Sequence, residues 1–162
     1  MFISDPFIIM NDDFYVMRKI DPHDIPNYTR ESLMDGVYRY NKMGMYQWAR
    51  HMRKMHMDSH KHRAKHSFEV HAPMVVYKTL MSNAILKAGI GPCWRTAYGA
   101  EANLEPTLFT DWDDAKIRRA QSKRPTMLNN MTFLSSSPDS FARGWLGEHI
   151  RKTFPKPTKY EA

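Results

Sequence analysis

The chain has 162 residues, 42% of them hydrophobic and 25% charged, with a formal charge of +7. That length allows one domain with a modest core, and that charge favours an anionic partner: nucleic acid, an acidic protein face or lipid headgroups. Seven glycines argue against a phosphate-cradling loop enzyme, and a lone Cys93 excludes an internal disulfide, leaving a buried, inert thiol as its simplest reading.

Residues 1–27 read as an extended, irregular arm, because Pro6, Pro22 and Pro26 interrupt regular structure; a short strand fits Phe7 to Met10. The opening stretch carries Asp5 and Pro6 and looks like neither a secretory signal nor an Arg-rich transit peptide. A helix is expected from Tyr28, capped by Asn27 or Thr29, with Glu31 in its first turn and Leu33, Met34, Val37 and Tyr38 at three-four spacing. Asn41 and Gly44 predict a kink or a break. The apolar stripe resumes with Met45, Trp48, Ala49, Met52, Met55 and His56, and residues 60–67 are almost wholly basic or His.

Pro73 suits the first turn of the next helix and Gly89 its C-terminal cap. Between them Val76, Leu80, Met81, Ala84, Ile85 and Ala88 share one apolar face with Tyr77, which makes this the expected core helix. Lys78, Ser82, Asn83 and Lys87 interrupt it, so no run of about 18 apolar residues exists to span a membrane. Gly91, Pro92 and Gly99 mark a loop around Trp94. Thr110 caps a short helix opened by Asp111, Asp113 and Asp114 and closed by Arg118 and Arg119. A polar connector runs from Ser122 to Ser137, after which Ser137 and Pro138 open a last helix with Phe141, Trp145, Leu146 and Ile150 on its apolar face. The expected fold is therefore mainly α: four or five helices in an open arrangement, with an arm over 1–27, a helical domain over 28–153 and an extended tail over 154–162.

Four constellations hold residue types that carry chemistry. His56 and His60 are four apart, as are His62 and His66, so each pair lies on one helix face and can grip a metal; Met52, Met55 and Met57 add thioethers. The neighbouring cations oppose this, and no His-Glu-x-x-His pattern occurs, so a solvated basic surface is the simpler reading. That surface bears Arg50, Arg53, Lys54, Lys61, Arg63 and Lys65, with Trp48 beside it, and is the expected contact with a partner or an anionic surface. The acids at 111, 113 and 114 are explained as helix-start residues. Ser135–Ser137 with Asp139 and His149 hold triad residue types, but lack nucleophile-elbow glycines.

Together these readings predict no catalytic residue, no cofactor and no small-molecule substrate. They predict an accessory, structural subunit of a large multiprotein assembly, foremost a mitochondrial membrane complex of the respiratory chain or ATP synthase. Its partners would be other protein subunits and anionic lipid headgroups. A mitochondrial ribosomal protein that binds rRNA through helix 43–66 is the runner-up, and a small His/Met metal-binding protein the third reading.

Overall fold

A computed structural model describes residues 4–11, 14–57, 64–89, 91–109, 115–117, 119–123 and 131–156. These residues form six α-helices and nine short strands in small sheets, an α/β mixture that overturns the mainly α, open arrangement expected from helical spacing. The physical reason lies in the strands. Each is two to four residues long, too short for alternation to register, and each pairs with a partner distant in sequence. The chain divides into two compact units, one of Met1–Asn11 with Asp21–Thr110 and one of Asp12–Ile20 with Asp111–Ala162.

In the first unit the short strand expected at Phe7 to Met10 within the irregular arm is present. Strand β1 (Phe7–Ile9) pairs antiparallel with β6 (Met74–Val76), Phe7 opposite Val76 and Ile9 opposite Met74. Asp21 caps a 3-10 turn at Pro22–Asp24 by accepting the His23 N–H at 2.9 Å. Strand β3 (Tyr28–Thr29) runs parallel to β7 (Thr107–Leu108), and β4 (Glu31–Ser32) antiparallel to β5 (His66–Ser67). These pairings use the residues read as the first helical turn. The buried Thr29 hydroxyl, for instance, donates to the Ser67 carbonyl at 2.8 Å. Helix α1 (Leu33–Lys42) therefore starts later, capped by the Ser32 hydroxyl, which accepts the Asp35 N–H at 3.2 Å.

The expected break after α1 is present. Gly44 turns the chain at φ +74, a conformation open to glycine, and α2 (Tyr46–Met57) packs back on α1. Leu33, Val37 and Tyr40 meet Ala49, Met52 and Met55 in a core that Phe68, Met74 and Val76 complete. Close approach at this crossing depends on Gly36, since a Cβ there would stand 2.9 Å from Met52 Sδ.

Helix α3 (Lys78–Ala88) ends where expected, at Gly89 with φ +79, but it is not the core helix: only Ala84 and Ala88 are buried, while Tyr77, Ile85 and Leu86 are exposed. The central place belongs to α4 (Trp94–Glu101), in the segment read as a loop. Arg95, Thr96, Ala97, Tyr98 and Gly99 are all buried there. Apolar periodicity cannot reveal such a helix, because its buried face carries polar groups satisfied by distant partners.

In the second unit β2 (Phe14–Val16), β9 (Phe133–Ser136) and β8 (Ala115–Ile117) form one sheet with β9 in the middle, antiparallel to β2 and parallel to β8. Strand β9 is buried along its length, within the segment read as a polar connector. Strand β8 occupies part of the expected Thr110 helix, whose positions 110–114 and 118 lie outside the described residues. Helix α5 (Pro138–Arg143) begins as expected: the Ser137 hydroxyl accepts the Ser140 N–H at 3.2 Å, a cap worth about 1 kcal/mol. Gly144 then separates α5 from α6 (Trp145–Thr153), so the expected single helix is two. Ile117, Leu134, Trp145 and Leu146 make the core of this unit. Residues 154–156 are exposed, and the rest of the expected tail lies outside the described residues. No helix of the described residues is long and apolar enough to cross a membrane.

Candidate functional site

Helix α2 carries the residues the sequence singles out, and its two sides differ. Ala49, Met52 and Met55 face the core. Tyr46, Arg50, Arg53 and Met57, spaced four, three and four apart, share the opposite side of a 3.6-residue helix. All four are exposed, Tyr46 at 65% and Met57 at 74%. Across the turn, α1 leaves Met34 and Tyr38 in water as an i, i+4 pair, with Tyr38 71% exposed, and Met43 is exposed at the turn itself. Trp48 takes the other role: it is half-buried, its ring 5.3 Å from that of Tyr40, and it packs against the core.

Beside the outer stripe, α2 and the end of α3 enclose an open cleft of about 390 Å³. Gln47, Arg50, His51 and Lys54 form one wall, and residues 88, 89, 91 and 92 form the other. Gly91 lets the backbone lie flush on the His51 ring, where a Cβ would overlap it. His51 Nδ1 accepts the Cys93 N–H at 3.2 Å, so the neutral ring carries its proton on Nε2. Burial holds His51 below its usual range and Lys54 pushes the same way, against the support of the Ala88 carbonyl. The ring is thus uncharged at neutral pH, and the positive charge of the cleft comes from Arg50 and Lys54. Among the described residues neither cation meets a carboxylate, and no acid lines the cleft.

A second polar cluster lies inside the first unit. Glu69 Oε1 accepts the Thr96 N–H at 2.9 Å, capping the start of α4, and the Thr96 hydroxyl in turn accepts the Phe68 N–H at 3.1 Å. Burial raises the Glu69 carboxyl to about 7, against the opposing pull of Thr96 and the Arg95 guanidinium. Arg95 is only 7% exposed. It donates to the Ala72 carbonyl at 2.5 Å and to Asn11 Oδ1 at 3.1 Å, and its guanidinium lies 4.9 Å from the centre of the Trp94 ring. Cys93 is fully buried, and burial, reinforced by Glu69, pushes its thiol far above its usual range. This cluster holds α4 in place. The spacing of Glu69 and Arg95 gave no sign of it; the one signal was an acid within an otherwise basic stretch.

The remaining candidates scatter. His56 is exposed on α2 and His66 lies in β5, while His60 and His62 fall outside the described residues. No group of three His, Cys, Asp or Glu side chains able to hold a metal assembles among the described residues. Arg53 and Lys65 are exposed, Lys65 lining a smaller cavity of about 260 Å³ with Phe68, Gly99, Ala100 and residues 103–106, and Lys61 and Arg63 lie outside the described residues. Asp111, Asp113 and Asp114 lie outside them too. Ser135, Ser136 and Ser137 line up at the end of β9, where the sheet and the α5 cap use them. No family model, no curated protein and no solved structure matches this chain.

Proposed function

We propose that this chain is a non-catalytic accessory subunit of a large multiprotein assembly, docked through the outer side of the α1–α2 hairpin. One observation carries the reading: Met34, Tyr38, Met43, Tyr46 and Met57 all remain in water on this hairpin. Single exposed apolar residues need no explanation, but five large ones on one supersecondary unit suit a surface completed by a partner. Tyr and Met are also the side chains that interfaces favour, and Met adapts to an irregular neighbour. Each is already partly buried, so covering it adds only a share of the roughly 1.5–3 kcal/mol that full burial is worth, set against the lost freedom of association.

The finer placement, a mitochondrial membrane complex of the respiratory chain or ATP synthase, draws on the +7 charge and on Tyr46 and Met57 flanking two arginines, a composition suited to the edge of an anionic bilayer. The ribosomal alternative draws on the same arginines, because Arg50 and Arg53 on one exposed side can bind successive RNA phosphates. A photocrosslinking residue at Tyr38 or Tyr46, expressed in the native cell, tests the reading. The expected result is a discrete adduct with another protein chain at each position, with a surface control at Lys152 giving none. Adducts confined to RNA would transfer support to the ribosomal alternative.

A further inference from the structure

The cleft between α2 and the turn after α3 has a composition that the docking role does not require. Its Arg50 and Lys54 line one wall from successive turns of one helix, with Gln47 on the same wall, and among the described residues no acid lines the cleft. An Arg beside a Lys suits a tetrahedral anion, the guanidinium as a planar fork and the ammonium as a compact charge. The carbonyl end of α3 borders the same space, and Lys54 Nζ stands 3.9 Å from where a Gly89 Cβ would be. A helix C-terminus contributes roughly half a negative charge, which two cations outweigh. At about 390 Å³ the cleft exceeds what a bare phosphate fills, and Ala88 and Pro92 offer apolar wall for a carbon skeleton. His51, neutral, packed against Gly91 and accepting the Cys93 N–H, adds no charge to that wall.

We propose that this cleft binds a phosphate carried on a compact organic group, with Arg50 and Lys54 as its ligands. The group is either a phospholipid headgroup or a soluble phosphorylated metabolite; the recognition chemistry is the same. The inference does not depend on the assembly role, since the cleft lies beside the exposed stripe and uses different residues apart from Arg50.

Calorimetric titration of the intact chain with pyrophosphate, at low salt, tests it. One saturable site is expected, weakened about tenfold by Arg50→Gln or by Lys54→Gln. Arg53→Gln is the control, an exposed cation of the same helix that does not line the cleft, and it should leave binding within about twofold. All three side chains are exposed, so the variants are expected to keep the parent melting temperature. Phosphatidylcholine vesicles with and without phosphatidic acid separate the two sources. Binding to the acidic vesicles that pyrophosphate displaces assigns the cleft to a headgroup, and pyrophosphate binding with no vesicle binding assigns it to a soluble ligand. Equal losses in all three variants would show a diffuse charged surface and overturn the site. So would unchanged binding in the cleft variants, vesicle binding that pyrophosphate does not displace, or no binding of either probe. None of these outcomes bears on the protein adducts expected at Tyr38 and Tyr46, so the two proposals fail separately.

Discussion

Gly99→Ala is expected to destabilise the first unit, although alanine is the better helix former. In an exposed helix this change would gain about 1 kcal/mol. Gly99 is buried in α4, however, and a Cβ there would overlap the Phe68 ring. Phe68 is itself buried and its backbone N–H is tied to the Thr96 hydroxyl, so its ring can yield only towards the cavity that it borders with Gly99. Overpacking costs about 1–3 kcal/mol, so the net effect of the alanine is a loss of about 1 kcal/mol, while Gly99→Val, with two more carbons and poorer helix propensity, should lose about 3 kcal/mol. Urea unfolding checks both. A higher midpoint for Gly99→Ala would mean that helix propensity wins, and that α4 is not packed on Phe68.

The second large effect depends on pH. Glu69 is raised in the folded chain from its ordinary 4.5 to about 7, because burial disfavours its charge. The folded state therefore holds this proton across a window in which the unfolded state has released it. The associated stability is present in full below about pH 4.5, and it is lost as pH rises through about 7. A shift of this size corresponds to at most about 3 kcal/mol, reduced by whatever water reaches the partly exposed side chain. Glu69→Gln removes the titration while leaving an oxygen to accept the Thr96 N–H. The variant is expected to match the wild type near pH 4.5 and to exceed it increasingly towards pH 8, by about 4–8 °C in melting temperature for each kcal/mol recovered. Parallel melting curves across that range would mean that the Glu69 carboxyl is not desolvated.

Both effects centre on α4, the element that sequence patterning places least well. Local chemistry was legible: Gly44 breaks the hairpin, Gly89 ends α3, and Ser137 with Pro138 opens α5, each through contacts within a few residues. The strand expected at Phe7 to Met10 is β1, but β6 and the pairing of the two were not legible, since that pairing joins positions 7–9 to 74–76. Helix α4 was hidden because Arg95 and Thr96 are buried through partners at Asn11, Ala72 and Glu69, contacts that only the folded chain creates. Burial of α3 was over-read for the opposite reason: its apolar residues cover more of the helix than its neighbours do. The site divides in the same way. Spacing alone puts Arg50 and Arg53 on the outer side of α2, whereas the cleft needs Gly89, Gly91 and Pro92, some forty positions further on, to form its second wall.

The docking role implies that the outer hairpin side is covered when the protein is in place. Sedimentation of the native protein from gently lysed cells, with and without ribonuclease, tests this most directly, with Tyr38→Ser, Tyr46→Ser as the paired variant. A fast-sedimenting assembly that withstands ribonuclease, and from which the double variant is released, is the expected result. Sedimentation at the mass of the single chain, or an assembly that holds the double variant as firmly as the wild type, would contradict the docking role.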